Sequence, residues 1–290
     1  MSKEYVAILG DLHGHITLAY RLLKRYEVES GNTLAAIFQV GDFGAFPPPY
    51  KVDEATMRFW EKDPDELSFI DYYHGSKEAD EILGVNSLPE RQIKANLFFI
   101  KGNHEDFEFL NSLPQSDSAP ASIDFYNKIF FLANGSINTF SIGNHKLHVA
   151  SLGGVSYNNQ HWETSKNKYY SHAEYRQLSQ KGSNIDILLT HDVPFGSLYD
   201  DAGSRDILEF IEVKKPVLHF CGHYHEVGQQ LSVTGKTQSY VLNEVNFKKP
   251  SKLNEGCIAI VEITDNKEFT VEILKQDWMK EFKRINYREL

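Results

Sequence analysis

Cysteine is nearly missing from this sequence: 290 residues hold only Cys221 and Cys257. That count excludes a disulfide scaffold and a cysteine-rich zinc module. Long apolar runs are missing too. The first, Tyr5 to Leu9, is too short for a signal-peptide core and ends at Gly10-Asp11. None approaches the roughly 20 apolar residues of a membrane helix. The chain therefore reads as soluble and cytoplasmic, with no membrane partner. Positive charge is in deficit, with 30 Lys and Arg against 40 Asp and Glu and a formal charge of -10. Such a chain lacks the broad basic surface that wraps extended nucleic acid, although a local site can hold phosphate if it carries metal cations. Internal repeats and low-complexity segments are absent. With 41% hydrophobic and 24% charged residues the composition is that of a globular protein, not a disordered one. What it has in abundance is histidine, with twelve.

Short apolar runs recur, and each leads into a polar motif. Tyr5–Leu9 precedes Gly10-Asp11-Leu12-His13-Gly14, and Leu34–Phe38 precedes Gly41-Asp42. Leu97–Ile100 precedes Gly102-Asn103-His104-Glu105, Ile185–Leu189 precedes His191-Asp192, and Val217–Phe220 precedes Gly222-His223-Tyr224-His225. Such runs predict buried strands. The motifs then lie past the carboxyl ends of strands, where α/β sheets bind ligands.

Helices are predicted over Ile16–Tyr26, with Leu18, Leu22 and Leu23 inward and Arg21, Lys24 and Arg25 away from that face, and over Glu105–Leu113. Two more are predicted over His172–Lys181, with Gly182 as C-cap, and Arg205–Val213. Ile137–Ile142 and His145–Leu152 flank the turn Gly143-Asn144. Ile258–Ile263 and Phe269–Leu274 form a second hairpin, expected at a sheet edge. Residues 47–90 begin at Pro47-Pro48-Pro49 and suggest a cap insertion; residues 157–170, with His161 and Trp162, suggest a substrate loop. The motifs span residues 11 to 225, so the reading is one domain over 1–275 followed by a tail, 276–290, whose Lys280–Arg288 stretch is expected to be a solvated face.

The strand-end motifs supply Asp11, His13, Asp42, Asn103, His104, His191, His223 and His225. Imidazole and carboxylate are ligands for borderline and hard divalent metals. Gathered at one sheet mouth, these groups are expensive to bury without a cation. One metal could take Asp11, His13 and His225, and another Asn103, His191 and His223, with Asp42 bridging. Water between two metals roughly 3.5–4 Å apart becomes hydroxide near neutral pH and attacks in line. His104, left without a metal, can protonate the leaving oxygen. The chemistry suits phosphate esters.

In order, Gly10-Asp-x-His13, Gly41-Asp42, Gly102-Asn-His-Glu105, His191 and Gly222-His-x-His225 resemble the calcineurin-like metallophosphoesterase superfamily. The resemblance covers some three quarters of the chain. It implies an α/β fold, the four-layer α-β-β-α sandwich of two mixed sheets, with a dinuclear centre and the ligand division just described. Gly41-Asp-Phe43, Phe99–Glu105, Gly153-Gly-Val-Ser156 and Asp186–Pro194 further resemble RNA lariat-debranching enzymes. Those enzymes can carry cysteine where this chain has Asp11, and Ala-His-Leu-His where it has Gly-His-Tyr-His. The Val-Asp-Arg-Gly continuation of Ser/Thr protein phosphatases is replaced here by Phe43-Gly44-Ala45-Phe46.

The resemblance implies a phosphodiesterase acting on a nucleotide or RNA-like ester. The alternatives are a phosphomonoesterase and a non-catalytic scaffold of the same fold. Two divalent ions are expected, manganese first, with iron, zinc, cobalt or nickel sharing the donor preference. Glu105, Asp192 and Tyr224 are candidates for supporting the ligands or touching substrate. Glu105 would position His104 or start a helix; Asp192 would orient a ligand histidine or cap a turn. His15 would touch substrate or lie exposed. His219 is read as core or supporting, His145 and His148 as ordinary sheet residues, and Cys221 as a buried filler.

Overall fold

Strands buried on both faces show continuous apolar runs rather than alternation, and two sheets of that kind form here. The structure is a computed structural model that describes residues 3–84, 87–116, 119–157, 166–182, 184–248 and 251–290. In chain order its elements are β1 (Lys3–Leu9), α1 (Ile16–Ser30), β2 (Leu34–Gln39), α2 (Glu54–Trp60), α3 (Phe69–Tyr73), α4 (Lys77–Leu83), β3 (Leu97–Phe99) and α5 (Phe107–Ser112). There follow β4 (Ala121–Ser122), β5 (Ile129–Phe131), β6 (Ser136–Ile142), β7 (His145–Leu152), α6 (His172–Gln180), β8 (Ile187–Thr190), α7 (Arg205–Lys214) and β9 (Leu218–Cys221). The chain ends with β10 (Gln229–Leu231), β11 (Gln238–Val241), β12 (Phe247–Lys248), β13 (Lys252–Leu253), β14 (Ile258–Thr264) and β15 (Phe269–Ile273).

A seven-stranded sheet has the order β15-β14-β1-β2-β3-β5-β4, and a six-stranded sheet the order β10-β11-β9-β8-β7-β6. β1, β2, β3 and β5 run parallel, as do β7, β8, β9 and β11, and antiparallel strands complete both sheets. Alternate residues face alternate layers. Val6, Ile8, Phe38 and Phe98 pack against Val149, Leu189 and Phe220 between the sheets. Their neighbours Ala7, Leu9, Ile37 and Phe99 pack outward with Leu18 and Leu22 of α1 and Phe69 of α3. On the far side Ala150, Leu152 and Leu188 meet Leu178 of α6 and Phe210 of α7. The layers are therefore α-β-β-α, and the sheets are mixed, as the resemblance implied.

Several boundaries differ from the sequence reading. α1 continues past Tyr26 to Ser30, because Gly31, with φ 71°, supplies the left-handed cap whose N–H reaches Glu27 O. Arg21 is buried, not solvated, and lies 3.4 Å from Glu81. α6 ends on an extended Lys181 rather than at Gly182, while its start is fixed by a capping box of Ser171 and Glu174. In the second hairpin only β15 is an edge; β14 pairs along its length with β1. The tail is docked rather than solvated. Phe282 and Tyr287 are buried, Tyr287 donates to Asp65, and Arg284 and Arg288 pair with Asp63 and Asp65. Residues 47–90 carry α2, α3 and α4. His161 and Trp162 lie outside the described residues.

Candidate metal centre

The expected ligands hang from turns that knit the loops together. Leu12 and His13 donate their N–H groups to Asp42 O at 2.9 and 2.8 Å. Glu105 accepts from Phe43 N (2.8 Å), Gly44 N (3.1 Å) and Ala45 N (2.8 Å). It therefore fastens the loop after β2 to the loop after β3, which carries His104, and it does not start α5, whose cap is Asp106. Burial pushes the Glu105 carboxyl up to about 8, with Asp42 acting the same way and backbone donors opposing. Close approach dictates glycine at two points. A Cβ on Gly102 would lie 2.0 Å from Asp42 Oδ1, and one on Gly222 2.0 Å from Asp11 Oδ1. His13, Asp42, His223 and His225 adopt φ of 42°, 54°, 68° and 49°. Side-chain-bearing residues there cost about 1–3 kcal/mol each and persist where the surroundings overdetermine them.

Both sheets contribute donors. Asp11, His13, Asp42, Asn103 and His104 come from the seven-stranded sheet, and His191, His223 and His225 from the six-stranded one. Potential ligand atoms of Asp11, His13 and His225 lie within 4.8 Å of one another, as do those of Asp11, Asp42 and His191. His225 Nε2 is 2.9 Å from Asp11 Oδ2 and 3.4 Å from His13 Nε2. Asp42 Oδ1 accepts the N–H groups of Asn103 and His104 at 2.6 and 2.7 Å. Its Oδ2 faces both donor groups, 3.7 Å from His13 Nε2 and 3.4 Å from His191 Nε2. Asn103 Oδ1 lies 2.9 Å from His191 Nε2, and the His223 ring centroid lies 5.1 Å from that of His191.

Among the described residues, every ion-pair partner of Asp11 and Asp42 is a histidine. Burial works to raise both carboxyls, but His191 beside each, with His225 beside Asp11, holds them below the usual carboxylate range, Asp42 well below. Burial pulls His191 down, yet Asp42 and Asp11 outweigh it and raise the ring to about 10. His225 rises to about 9 against burial through its bond to Asp11, while burial lowers His13 and His223. His191 Nδ1 is 2.9 Å from Val40 O, which only a donor can satisfy. Its Nε2 then faces the oxygens of Asn103 and Asp42. At that pKa the ring is an imidazolium and its Nε2–H serves both oxygens; a divalent cation taking the place of that proton would find the Nε2 lone pair and the two oxygens already converging. Carboxylate, imidazole and amide oxygen without thiol fit divalent cations. His15, Asp63 and Asp65 form a further cluster within ligand distance, but Arg284 and Arg288 already neutralise it.

His104 stands apart, its ring 5.9 Å from that of His13. Its Nδ1 is 3.0 Å from Asp53 Oδ2, a partner the sequence reading missed. Burial lowers His104, but Asp53 and Asp42 more than offset this and raise it. The signal for Asp53 was present as a helix start, since Asp53 caps α2. Glu66 and Glu244, also unforeseen, line a cavity of about 270 Å3 that holds His104 and His225. A larger cavity of about 730 Å3 opens on the other side, and Asn103 and His223 belong to both. Tyr224 lines the larger one and packs edge-on against His223 at 4.9 Å. Asp192 accepts from Ser156 N and Val193 N, so it shapes loops rather than orienting a ligand ring. His15 is buried and bonded to Leu12 O and Asp63, and it lines neither cavity. His219 is core, and Cys221 is a buried filler.

The family model for calcineurin-like phosphoesterases matches residues 5–227. The lariat debranching enzyme of Drosophila pseudoobscura pseudoobscura is 24% identical over 274 residues, covering 87% of this chain and 46% of that protein. The lariat debranching enzyme of Arabidopsis thaliana is 25% identical over 253 residues, covering 76% of this chain and 54% of that protein. The chain thus spans about half the length of the curated relatives it matches. Among solved structures, a Thermus thermophilus protein at 12% identity superposes with a TM-score of 0.50, covering 94% of this chain and 100% of that one. That likeness is one of fold alone.

Proposed function

The chain belongs to the calcineurin-like phosphoesterase family, a family of metal-dependent phosphate-ester hydrolases, and on that premise we propose that it hydrolyses a phosphodiester of nucleotide or RNA-like kind. The observation that carries this reading is the pair of cavities meeting at Asn103 and His223. A phosphomonoester has one organic arm to house; a diester has two. The name shared by the curated relatives, lariat debranching enzyme, supports the same bond class.

Asp11, His13 and His225 would hold one divalent cation and Asn103, His191 and His223 a second, with Asp42 shared between them. Such cations, when bound, polarise phosphoryl oxygens and acidify a water. Manganese is the first ion to test, and iron, zinc, cobalt and nickel share the donor preference. The protein's own groups do the remainder. Asp53 holds His104 by Nδ1, which leaves Nε2 to deliver a proton to the departing oxygen. Glu105 keeps the Asp42 and Asn103 loops at fixed separation through its backbone bonds.

The test is paired hydrolysis of bis-p-nitrophenyl phosphate and p-nitrophenyl phosphate by metal-stripped, then manganese-reloaded protein. Faster turnover of the diester is expected. Preference for the monoester would replace this reading with a phosphomonoesterase. Inactivity on both with metal bound would favour the scaffold.

A further inference from the structure

Resting on the phosphodiester reading, we propose that the larger cavity is a subsite for a single nucleoside, the arm that stays on phosphorus when the ester is cut. The cavity reaches the donor cluster at Asn103 and His223. Its walls carry more aromatic side chains than aliphatic ones, tyrosines above all, against Val155 and Ala202. Tyr157 and Tyr169 meet edge to face at 5.4 Å, and Tyr224 lines the same space. Aromatic walls hold a base by stacking and accept any base, since every base has a π face.

The wall is tied to the chemistry. Lys101 immediately precedes Gly102-Asn103, and its buried ammonium donates to Tyr169 O at 3.1 Å. Val155 N bonds Lys168 O at 3.0 Å, and Tyr170 N bonds Val155 O at 3.3 Å. Tyr169 is therefore anchored to the segment that delivers Asn103 and His104.

Charge sets the size of the occupant. The cations Lys168 and Arg205 share this lining with Asp192, Asp201 and Asp206. Lys168 lies over the Tyr169 ring at 5.2 Å and Arg205 over the Phe195 ring at 3.7 Å. A polynucleotide track needs an unbalanced positive groove, which this is not. Carboxylates suit the amino groups and sugar hydroxyls of one nucleoside, and they repel a second phosphate.

His104 decides which arm this is. It lies in the smaller cavity with Ala55, Thr56 and Phe59. The departing oxygen must reach His104, so the leaving arm occupies that side. In the balanced step, the oxygen of a water bonds to phosphorus, and the bond from phosphorus to the leaving oxygen breaks. That oxygen takes the proton from His104, and the proton of the water passes to solvent. The products are a free alcohol and a nucleoside monophosphate, the latter in the larger cavity.

The test is calorimetric binding to manganese-loaded protein, with inorganic phosphate and the 2′-, 3′- and 5′-monophosphates of adenosine as probes. At least one nucleotide should bind about tenfold tighter than phosphate. Tyr169→Leu should abolish that gap while leaving phosphate affinity, metal content and melting temperature unchanged, and Tyr169→Phe should retain it. Equal binding of nucleotides and phosphate overturns the proposal, as does an equal loss of both in Tyr169→Leu. Because binding is read without turnover, a failed ester assay sinks the parent reading separately from this one.

Discussion

Asp53 serves two neighbours with one carboxylate. It caps α2 by accepting from Ala55 N and Thr56 N at 2.8 and 3.0 Å, and it holds His104 Nδ1 at 3.0 Å. Burial works to raise its pKa, but the bond to His104 and the capping bonds bring it down to about 2. The two duties separate by substitution. Asp53→Asn keeps an acceptor for the cap but removes the charge beside His104. It should lower kcat about ten- to hundredfold at unchanged metal content and melting temperature. Asp53→Ala should lose about 1 kcal/mol of stability besides. An Asp53→Asn enzyme with full kcat would show that His104 works unaided. The candidate metal donors were legible in the sequence because each lies shortly after an apolar run. Asp53 was not, because 51 residues, holding α2, α3, α4 and β3, separate it from His104 along the chain. His15 misled for a related reason: its sequence neighbours Asp11 and His13 belong to the candidate centre, but its buried contact is Asp63.

Six parallel strands were legible: β1, β2, β3, β8 and β9 as apolar runs, because burial on both faces removes polar residues from them, and β7 as one arm of a hairpin, whereas β5 and β11, three and four residues long, were not predicted. β10, β12 and β13 were not, since two or three residues with mixed exposure carry no period. One strand residue makes a pH-dependent prediction. His219 in β9 lies 2.8 Å from Thr190 Oγ1 in β8 and 2.7 Å from Ser239 Oγ in β11. Thr190 gives its own hydrogen to Asp192 O, so His219 Nε2–H donates to Thr190 and Nδ1 accepts from Ser239. The ring is thus satisfied while neutral, and burial pushes its pKa down to about 3. An unfolded histidine titrates near 6.5. Below that pH the unfolded chain gains a proton that the folded chain refuses, so stability falls as pH drops from about 6.5 toward 3. Between pH 7 and 5 this amounts to about 2 kcal/mol. In chelator, the urea-derived stability of His219→Gln should change by that much less than wild type over the same interval. Equal changes would show that the ring is not held neutral.

At the scale of the molecule, the terminal segment closes the outer layer. Phe282 and Met279 join the cluster that contains Leu274, Phe247 and Tyr287, and Arg284 reaches Asp63, which holds His15 beneath the Asp11–Gly14 loop. Phe282→Ala should therefore behave as a core truncation despite its place near the chain end, costing about 3–5 kcal/mol in urea unfolding. A cost under about 1 kcal/mol, the range of surface changes, would show the segment undocked. No local pattern announces such docking, because the acids that receive the arginines lie more than two hundred residues earlier.

The strand order carries one more consequence. The chain leaves the first sheet after β5, writes the whole of the second, and only then returns to lay β14 against β1. While the protein is being made, the Lys3–Leu9 strand keeps a bare flank until Ile258 leaves the ribosome. That flank is a row of unpaired amides and carbonyls on an apolar strand, the kind of edge on which chains aggregate. β14, the last strand but one to be made, is thus the one that removes this longest-standing hazard, and β15 then covers β14 in turn.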